Sequence, residues 1–119
     1  MQSPILVILF GSHAKETSHA QSDIDLAILT HHQLTLAERS DITAQYAHKL
    51  HVNEDLVYVV DLITASPLLK YEVAQHGKLI EGDAYDFVRF KVHAWKQYLD
   101  TAKLCRARAQ SLKRYIHAT

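Results

Sequence analysis

A continuous run of apolar residues, Ile5 to Phe10, ends abruptly at Gly11-Ser12. A short, uninterrupted apolar run is typical of a strand that is covered on both faces, because its side chains point into apolar surroundings in both directions. Glycine permits a tight turn directly after such a strand, and serine is able to cap a short helix. The start of the sequence therefore predicts a buried strand that is followed by a sharp turn.

Further predicted strands alternate with predicted helices. The strands are predicted at Asp23–Leu29, Asp55–Val60 and Lys78–Glu81, the last of them ending at Gly82-Asp83. The helices are predicted from the capping-box pattern of Thr35 and Glu38 to about Leu50, and from Ser66-Pro67 to Gly77. This mixed order predicts an α/β (α+β) fold with a small mixed sheet flanked by helices.

The C-terminal segment predicts a long amphipathic helix, or two shorter ones. It contains neither glycine nor proline from Asp83 to about Ile116. Apolar residues recur there at steps of three and four: Phe87, Phe90, Ala94, Tyr98, Ala102, Cys105, Ala109, Leu112 and Ile116. We expect residues 1–83 to form a core and residues 84–119 to form a basic helix of the same single domain.

The net charge of zero conceals a division of charge along the chain. Residues 1–85 contain 5 Lys and Arg against 11 Asp and Glu, whereas residues 86–119 contain 8 against 2. This division predicts a metal-binding body and a separate surface for an acidic partner.

One cysteine cannot form an internal disulfide, and no segment matches a signal peptide or a membrane span. We therefore expect a cytoplasmic protein without membrane contact.

Two carboxylates, Asp23 and Asp25, begin the second predicted strand. Alternate residues of a strand point to the same face, so these side chains are expected to project side by side. Closely placed carboxylates repel each other, and a bound divalent cation relieves that repulsion. Magnesium prefers such oxygen ligands and leaves positions open for phosphate oxygens. Asp23 and Asp25 are therefore predicted catalytic metal ligands.

A third carboxylate, Asp55, begins the next predicted strand. If that strand pairs beside the strand of Asp23 and Asp25, Asp55 reaches the same cleft. Three carboxylates are able to hold two metal ions, which suits transfer of a phosphoryl group. Glu54 and Asp61 are alternative third ligands, but Asp61 lies at the far end of its strand, so Asp55 is preferred.

The turn at Gly11-Ser12 predicts a site for a triphosphate. Glycine allows close approach to the backbone, and a following helix N-terminus presents free N–H groups to an anion. Ser12 adds a hydroxyl donor, and Lys15 is placed to meet a phosphate or to lie in solvent. Gly11, Ser12 and Lys15 are therefore the predicted nucleotide-binding residues.

The spacing of these residues resembles a known signature. Gly11-Ser12, followed after ten residues by Asp23-Ile24-Asp25, is similar to the motif of the DNA polymerase beta-like nucleotidyltransferase superfamily. The context Ser22–Leu26 is typical of that superfamily, and Asp55–Val57 resembles its third carboxylate strand. The resemblance covers roughly residues 5–83. The small size resembles the minimal nucleotidyltransferases, especially the MntA-type antitoxins that are paired with HEPN-domain HepT toxins.

The resemblance implies a specific activity. Members of this group use ATP and magnesium to attach AMP to a tyrosine of the partner toxin and thereby silence its RNase activity. It further implies that Asp23 and Asp25 bind metal, that Asp55 assists the attacking hydroxyl, and that Gly11 and Ser12 hold the triphosphate. Glu16 departs from the pattern, because many relatives have glycine at that position.

Other interpretations compete with this one. A small-molecule nucleotidyltransferase of the aminoglycoside-resistance kind usually carries a further substrate-binding domain, for which little chain is left after Asp83. A non-catalytic module that masks its partner is favoured by Glu16 alone.

The nine histidines do not form a tetrahedral zinc set. The basic helix is interpreted first as a solvated face, next as a surface for a partner protein, and third as an RNA-binding surface. No Arg-x4-His-x-Tyr pattern, the mark of the HEPN nucleases, occurs.

Overall fold

The computed structural model describes residues 4–11 and 23–117, and within the last helix it describes the side chains of residues 84–104 and 106–108. This part of the chain forms four strands and three α-helices in mixed order. They are β1 (Leu6–Phe10), β2 (Ile24–Leu29), α1 (Leu36–Leu50), β3 (Val57–Asp61), α2 (Pro67–His76), β4 (Lys78–Gly82) and α3 (Ala84–His117), with one 3-10 turn (Glu54–Leu56) before β3. The α/β (α+β) class predicted from the sequence is confirmed.

The four strands form one mixed sheet in the order β3-β2-β1-β4. Strand β1 is antiparallel to both β2 and β4, whereas β2 and β3 are parallel. As a result, the C-terminal end of β1 and the N-terminal ends of β2 and β3 lie at the same end of the sheet. We call this end of the sheet the site edge, because Gly11, Asp23 and the 3-10 turn all lie there.

Helices cover the two faces of the sheet. One face packs against α1, and its cluster contains Val7, Ile24, Leu26, Ile28, Ile42, Tyr46 and Val57. The other face packs against α2 and α3, and its cluster contains Leu6, Ile8, Ala27, Val73, Phe87, Phe90 and Ala94. The strands β1 and β2 thus bury alternate residues on both faces, which explains why their sequences are continuously apolar. Burial of each large aliphatic side chain contributes about 1.5–3 kcal/mol.

The ends of α1 and α2 follow the signals predicted from the sequence. The Thr35 hydroxyl accepts the Glu38 N–H at 3.1 Å, and the Glu38 carboxylate accepts the Thr35 N–H at 3.0 Å, which completes the capping box. The Ser66 hydroxyl accepts the Leu69 N–H at 3.2 Å at the start of α2, and Gly77 ends that helix. Local hydrogen bonds therefore determine where both helices begin.

Helix α3 is one continuous helix of 34 residues rather than two shorter ones. At 1.5 Å per residue it is about 50 Å long, far longer than the sheet that it covers. Phe87, Phe90 and Ala94 bury its first turns in the core. Further along, the rings of Tyr98 and Tyr71 stack with their centroids 4.1 Å apart. Within the described residues, no helix has the length and apolar character needed to span a membrane.

Candidate active site

The site edge brings together the residues that form the sequence motif. In the antiparallel pairing of β1 and β2, Phe10 is the partner of Asp25. Gly11 follows Phe10 directly, and Asp23 precedes the first residue of β2. The glycine turn and the two carboxylates are therefore neighbours in space, as the sequence predicted.

Gly11 lies so close to Asp25 that no side chain fits between them. Gly11 has a φ of 82°, in the left-handed region that glycine adopts without steric cost. A Cβ atom at this position would lie 2.5 Å from Oδ2 of Asp25. Position 11 thus requires glycine for two independent reasons, its backbone conformation and the space that the carboxylate occupies.

Asp25 belongs to the face of β2 that packs against α2 and α3, and Asp23 lies just before that strand. Ala27, two residues beyond Asp25, belongs to the core cluster that packs against α2 and α3. Strand alternation places Asp25 on that same face, and the side chain of Asp25 is half-buried there, whereas Asp23 is exposed. Two oxygen-rich side chains at a half-open sheet edge are suitable ligands for a hard divalent cation.

Asp55 is not part of a strand. The third strand begins at Val57 rather than at Asp55, because the Asn53 side chain accepts the Asp55 N–H at 3.1 Å and so stabilises the 3-10 turn Glu54–Leu56. Asp55 lies at the site edge but is exposed. Among the described residues, no group of three or more His, Cys, Asp or Glu side chains is close enough to hold a metal ion. Asp55 is thus not brought together with Asp23 and Asp25.

Tyr58 occupies the position on β3 beside Asp25. In the parallel pairing of β2 and β3, Asp25 is the direct partner of Tyr58. Paired residues of neighbouring strands point to the same face, so the two side chains are adjacent. The Tyr58 side chain is 50% exposed.

The structure also shows where the two alternative third ligands, Asp61 and Glu54, lie. Asp61 is the partner of Ile28 at the opposite edge of the sheet. Its buried carboxylate accepts the Leu34 N–H at 2.8 Å and the Ile63 N–H at 2.9 Å. Asp61 therefore stabilises the backbone at Leu34 and Ile63 by hydrogen bonds, at the end of the sheet opposite the site edge, and does not belong to the site. Glu54 shares the exposed 3-10 turn with Asp55.

Two residues of the predicted phosphate site, Ser12 and Lys15, lie outside the described residues, as does Glu16, the departure from the family pattern. Of the predicted nucleotide-binding set, the structure therefore describes Gly11. The geometry of Gly11 and Asp25 shows a backbone turn pressed against a carboxylate.

Tyr58 was missed in the sequence because the residue that pairs with Asp25 is set by the register of β2 and β3. The relevant signal is the pattern Val57-Tyr58-Val59, in which one polar ring stands between apolar residues. Alternation assigns Val57 and Val59 to the α1 face and Tyr58 to the opposite face. The sequence does not show that Asp25 lies on the same face as Tyr58, because this depends on how β2 and β3 pair.

The fold and the site edge define this chain as a nucleotidyltransferase of the polymerase beta type. The family model described as "Polymerase beta, Nucleotidyltransferase" matches residues 1–84, and the chain belongs to this family. The chain is 36% identical over 93 residues to the protein adenylyltransferase MntA of Shewanella oneidensis. The match covers 78% of this chain and 65% of that relative, so the chain spans just under two thirds of the relative's length.

Solved structures with a similar fold include toxin-antitoxin complexes. A complex crystallised with AMP-PNP superimposes with a TM-score of 0.77 at 29% identity, covering 95% of this chain and 89% of the other. A complex of a tri-AMPylated HEPN toxin of Shewanella oneidensis with its MNT antitoxin superimposes with a TM-score of 0.70 at 26% identity, covering 95% and 86%. The similarity includes the region of α3, which the family model does not match.

Proposed function

We propose that this chain is an antitoxin adenylyltransferase, which transfers AMP from ATP to a tyrosine of a cognate HEPN-family RNase toxin and so neutralises it. The observation that carries the proposal is the contact between the Gly11 turn and the Asp25 carboxylate, next to Asp23 at the start of β2. The 36% identical relative is named a protein adenylyltransferase. A structural neighbour contains an AMPylated HEPN toxin.

The reaction joins the tyrosine oxygen to the α-phosphorus of ATP. The bond from that phosphorus to the bridging oxygen breaks, pyrophosphate leaves, and the tyrosine proton passes to a base or to water. The leaving group is highly charged, so positioning and charge neutralisation supply most of the catalysis. In this chain, Gly11 allows the triphosphate to approach the backbone, and Ser12 and Lys15 are proposed as further contacts.

Asp23 and Asp25 are proposed to hold Mg²⁺, and their donor atoms fit that ion. When bound, Mg²⁺ neutralises phosphate charge and polarises the phosphorus–oxygen bonds. A two-metal site requires a third ligand, for which Asp55 remains the prediction, with a role in assisting the attacking hydroxyl. We propose that the reaction takes place in the cytoplasm, because a chain with a single cysteine cannot form an internal disulfide.

A second candidate function is a non-catalytic antitoxin that masks its toxin by binding without transferring AMP. Glu16, at a position where many relatives have glycine, is the feature that favours it. The second candidate predicts a tight complex in which neither protein gains mass.

The two candidates are separated by intact-mass measurement. The purified chain is incubated with ATP and magnesium, with and without its HEPN partner. The transferase proposal predicts one or more added AMP units on the partner, and none when Asp23→Asn and Asp25→Asn are combined. Asp41→Asn is the matched control, since Asp41 is an exposed carboxylate on α1, and this variant should retain full transfer. A stable complex without added mass under any nucleotide would refute transfer and support masking.

A further inference from the structure

Helix α3 carries a second apolar stripe that points away from the core. We call it the outer stripe, and it consists of Tyr85, Val88, Val92, Trp95 and Leu99. These side chains are 68%, 54%, 57%, 54% and 37% exposed, respectively. Single exposed apolar residues are ordinary on a protein surface, but five in one row along four turns of a helix are not.

The spacing of the outer stripe indicates what kind of surface it fits. Its members follow each other at steps of three, four, three and four residues, which is the spacing of the seam between two packed helices. The residues that α3 buries in its own core, Phe87, Phe90 and Ala94, lie on the other side of the helix. The outer stripe is therefore separate from the core packing and is shaped for one further helix.

The charges beside the outer stripe exclude a second copy of this chain as its natural occupant. In the heptad defined by the stripe, the adjoining positions hold Arg89, Lys96 and Lys103 on one side and Lys91 on the other, all exposed. Two such helices packed in either direction would place cations against cations, which opposes association. A helix with carboxylates beside its apolar seam would instead meet opposite charge along its length.

A hollow next to Arg89 strengthens the preference for acidic groups. It has a volume of about 550 Å³, and its apolar floor includes Ile5, Leu29 and Phe90. Lys70, Arg89 and His93 line its wall, together with one carboxylate, Asp86. Basic side chains thus outnumber the single carboxylate in the hollow beside Arg89, one of the cations that flank the outer stripe.

We propose that the outer stripe of α3 docks an amphipathic helix of a partner protein whose apolar seam is flanked by Asp and Glu. The narrow seam matches a helix better than a lipid surface, which favours a broader apolar face with cations around it. This docking requires no nucleotide transfer, so it stands apart from the proposed function.

The test uses Trp95, which is the only tryptophan of the chain and belongs to the outer stripe. Its fluorescence in the full chain is followed during titration with a tryptophan-free synthetic helix that has Leu at the seam and Glu at the flanks. We expect a blue shift that weakens with salt. A peptide with the same seam and Lys at the flanks should bind at least tenfold more weakly.

Two variants make the result specific to the stripe. Val92→Glu should weaken binding of the Glu-flanked peptide at least tenfold. Leu36→Glu is the control and should bind as the wild type does, because Leu36 is 82% exposed on α1, which covers the other face of the sheet. Circular dichroism of both variants confirms that they are folded.

Three outcomes would overturn the proposal. Equal binding of the two peptides, or no fluorescence shift with either of them, would show that the outer stripe does not select a helix flanked by acidic residues. A concentration-dependent dimer in sedimentation that Val92→Glu abolishes would identify a second copy instead. A larger Trp95 shift with phosphatidylserine vesicles than with the Glu-flanked peptide would identify a membrane surface.

Discussion

Tyr58 and Asp25 are direct partners in the parallel pairing of β2 and β3, and their side chains therefore stand next to each other on one face of the sheet. The position beside Asp25, a proposed metal ligand, is thus held by a phenol. Asp55, the residue predicted for that role, lies in the preceding 3-10 turn. The roles of Tyr58 and Asp55 can be separated by substitution.

Replacing Tyr58 by aspartate should strengthen metal binding. The new carboxylate would stand beside Asp25, where it adds an oxygen ligand and negative charge. In Tyr58→Asp, we expect the magnesium concentration for half-maximal AMP transfer to fall by roughly tenfold, the scale on which changes around a metal site act. Tyr58→Phe is the control and should leave that concentration unchanged. If Asp55→Asn abolishes transfer while Tyr58→Asp has no effect, Asp55 is the third ligand.

Gly11→Ala should impair nucleotide binding. The added Cβ would collide with Oδ2 of Asp25, and the left-handed backbone costs a non-glycine residue about 1–2 kcal/mol. Isothermal titration with AMP-PNP and magnesium should therefore show loss of binding. Gly82→Ala is a matched control, because Gly82 also has a positive φ, of 127°, but lies at the opposite edge of the sheet. A Gly11→Ala protein that binds AMP-PNP like Gly82→Ala would refute a role for this turn.

Asp61→Ala should destabilise the fold without changing the chemistry of the site. The buried carboxylate accepts two backbone N–H groups, and its loss leaves both donors unsatisfied, at a cost of about 3 kcal/mol. The free energy of unfolding in urea measures this loss. Asp41→Ala, which removes an exposed carboxylate of α1, should change the unfolding free energy by less than about 0.5 kcal/mol. Equal effects of both substitutions would contradict the prediction.

The pH dependence of stability at alkaline pH should report on Tyr46. Burial raises the pKa of the Tyr46 hydroxyl above its ordinary value of 10.0, and the nearby Glu81 carboxylate raises it further. The folded state therefore favours the protonated phenol, whereas the unfolded chain releases its proton near pH 10. This stabilisation is complete below pH 10 and is lost as the pH rises above it.

Thermal unfolding of wild type and Tyr46→Phe between pH 8 and pH 11 tests this expectation. The variant should show a shallower decline of Tm at the alkaline end, because it lacks the titrating group. Tyr98→Phe serves as the control, since Tyr98 is only partly buried. Parallel declines in wild type and Tyr46→Phe would show that Tyr46 does not contribute.

Most local structure could be predicted from the sequence, because its signals act over a few residues. The capping box of Thr35 and Glu38, the Ser66-Pro67 start of α2 and the Gly77 stop all depend on hydrogen bonds and backbone preferences of neighbouring residues. The spaced motif of Gly11, Asp23 and Asp25 likewise indicated the family before any geometry was known. The second strand, with Asp25 near its start, was predictable because strand patterning is itself local.

The rest depended on how strands and helices pair. The strand begins at Val57 instead of Asp55, because the Asn53 side chain accepts the Asp55 N–H in the preceding turn. The register of β2 and β3, which long-range contacts set, makes Tyr58 the residue beside Asp25. In α3, two apolar stripes of similar spacing compete for the core, and the one with Phe87, Phe90 and Ala94 is buried. The sequence by itself determined the elements and the motif. Only the tertiary structure decided which side chain stands beside Asp25 and which stripe of α3 stays exposed, because both depend on contacts between residues far apart in the chain.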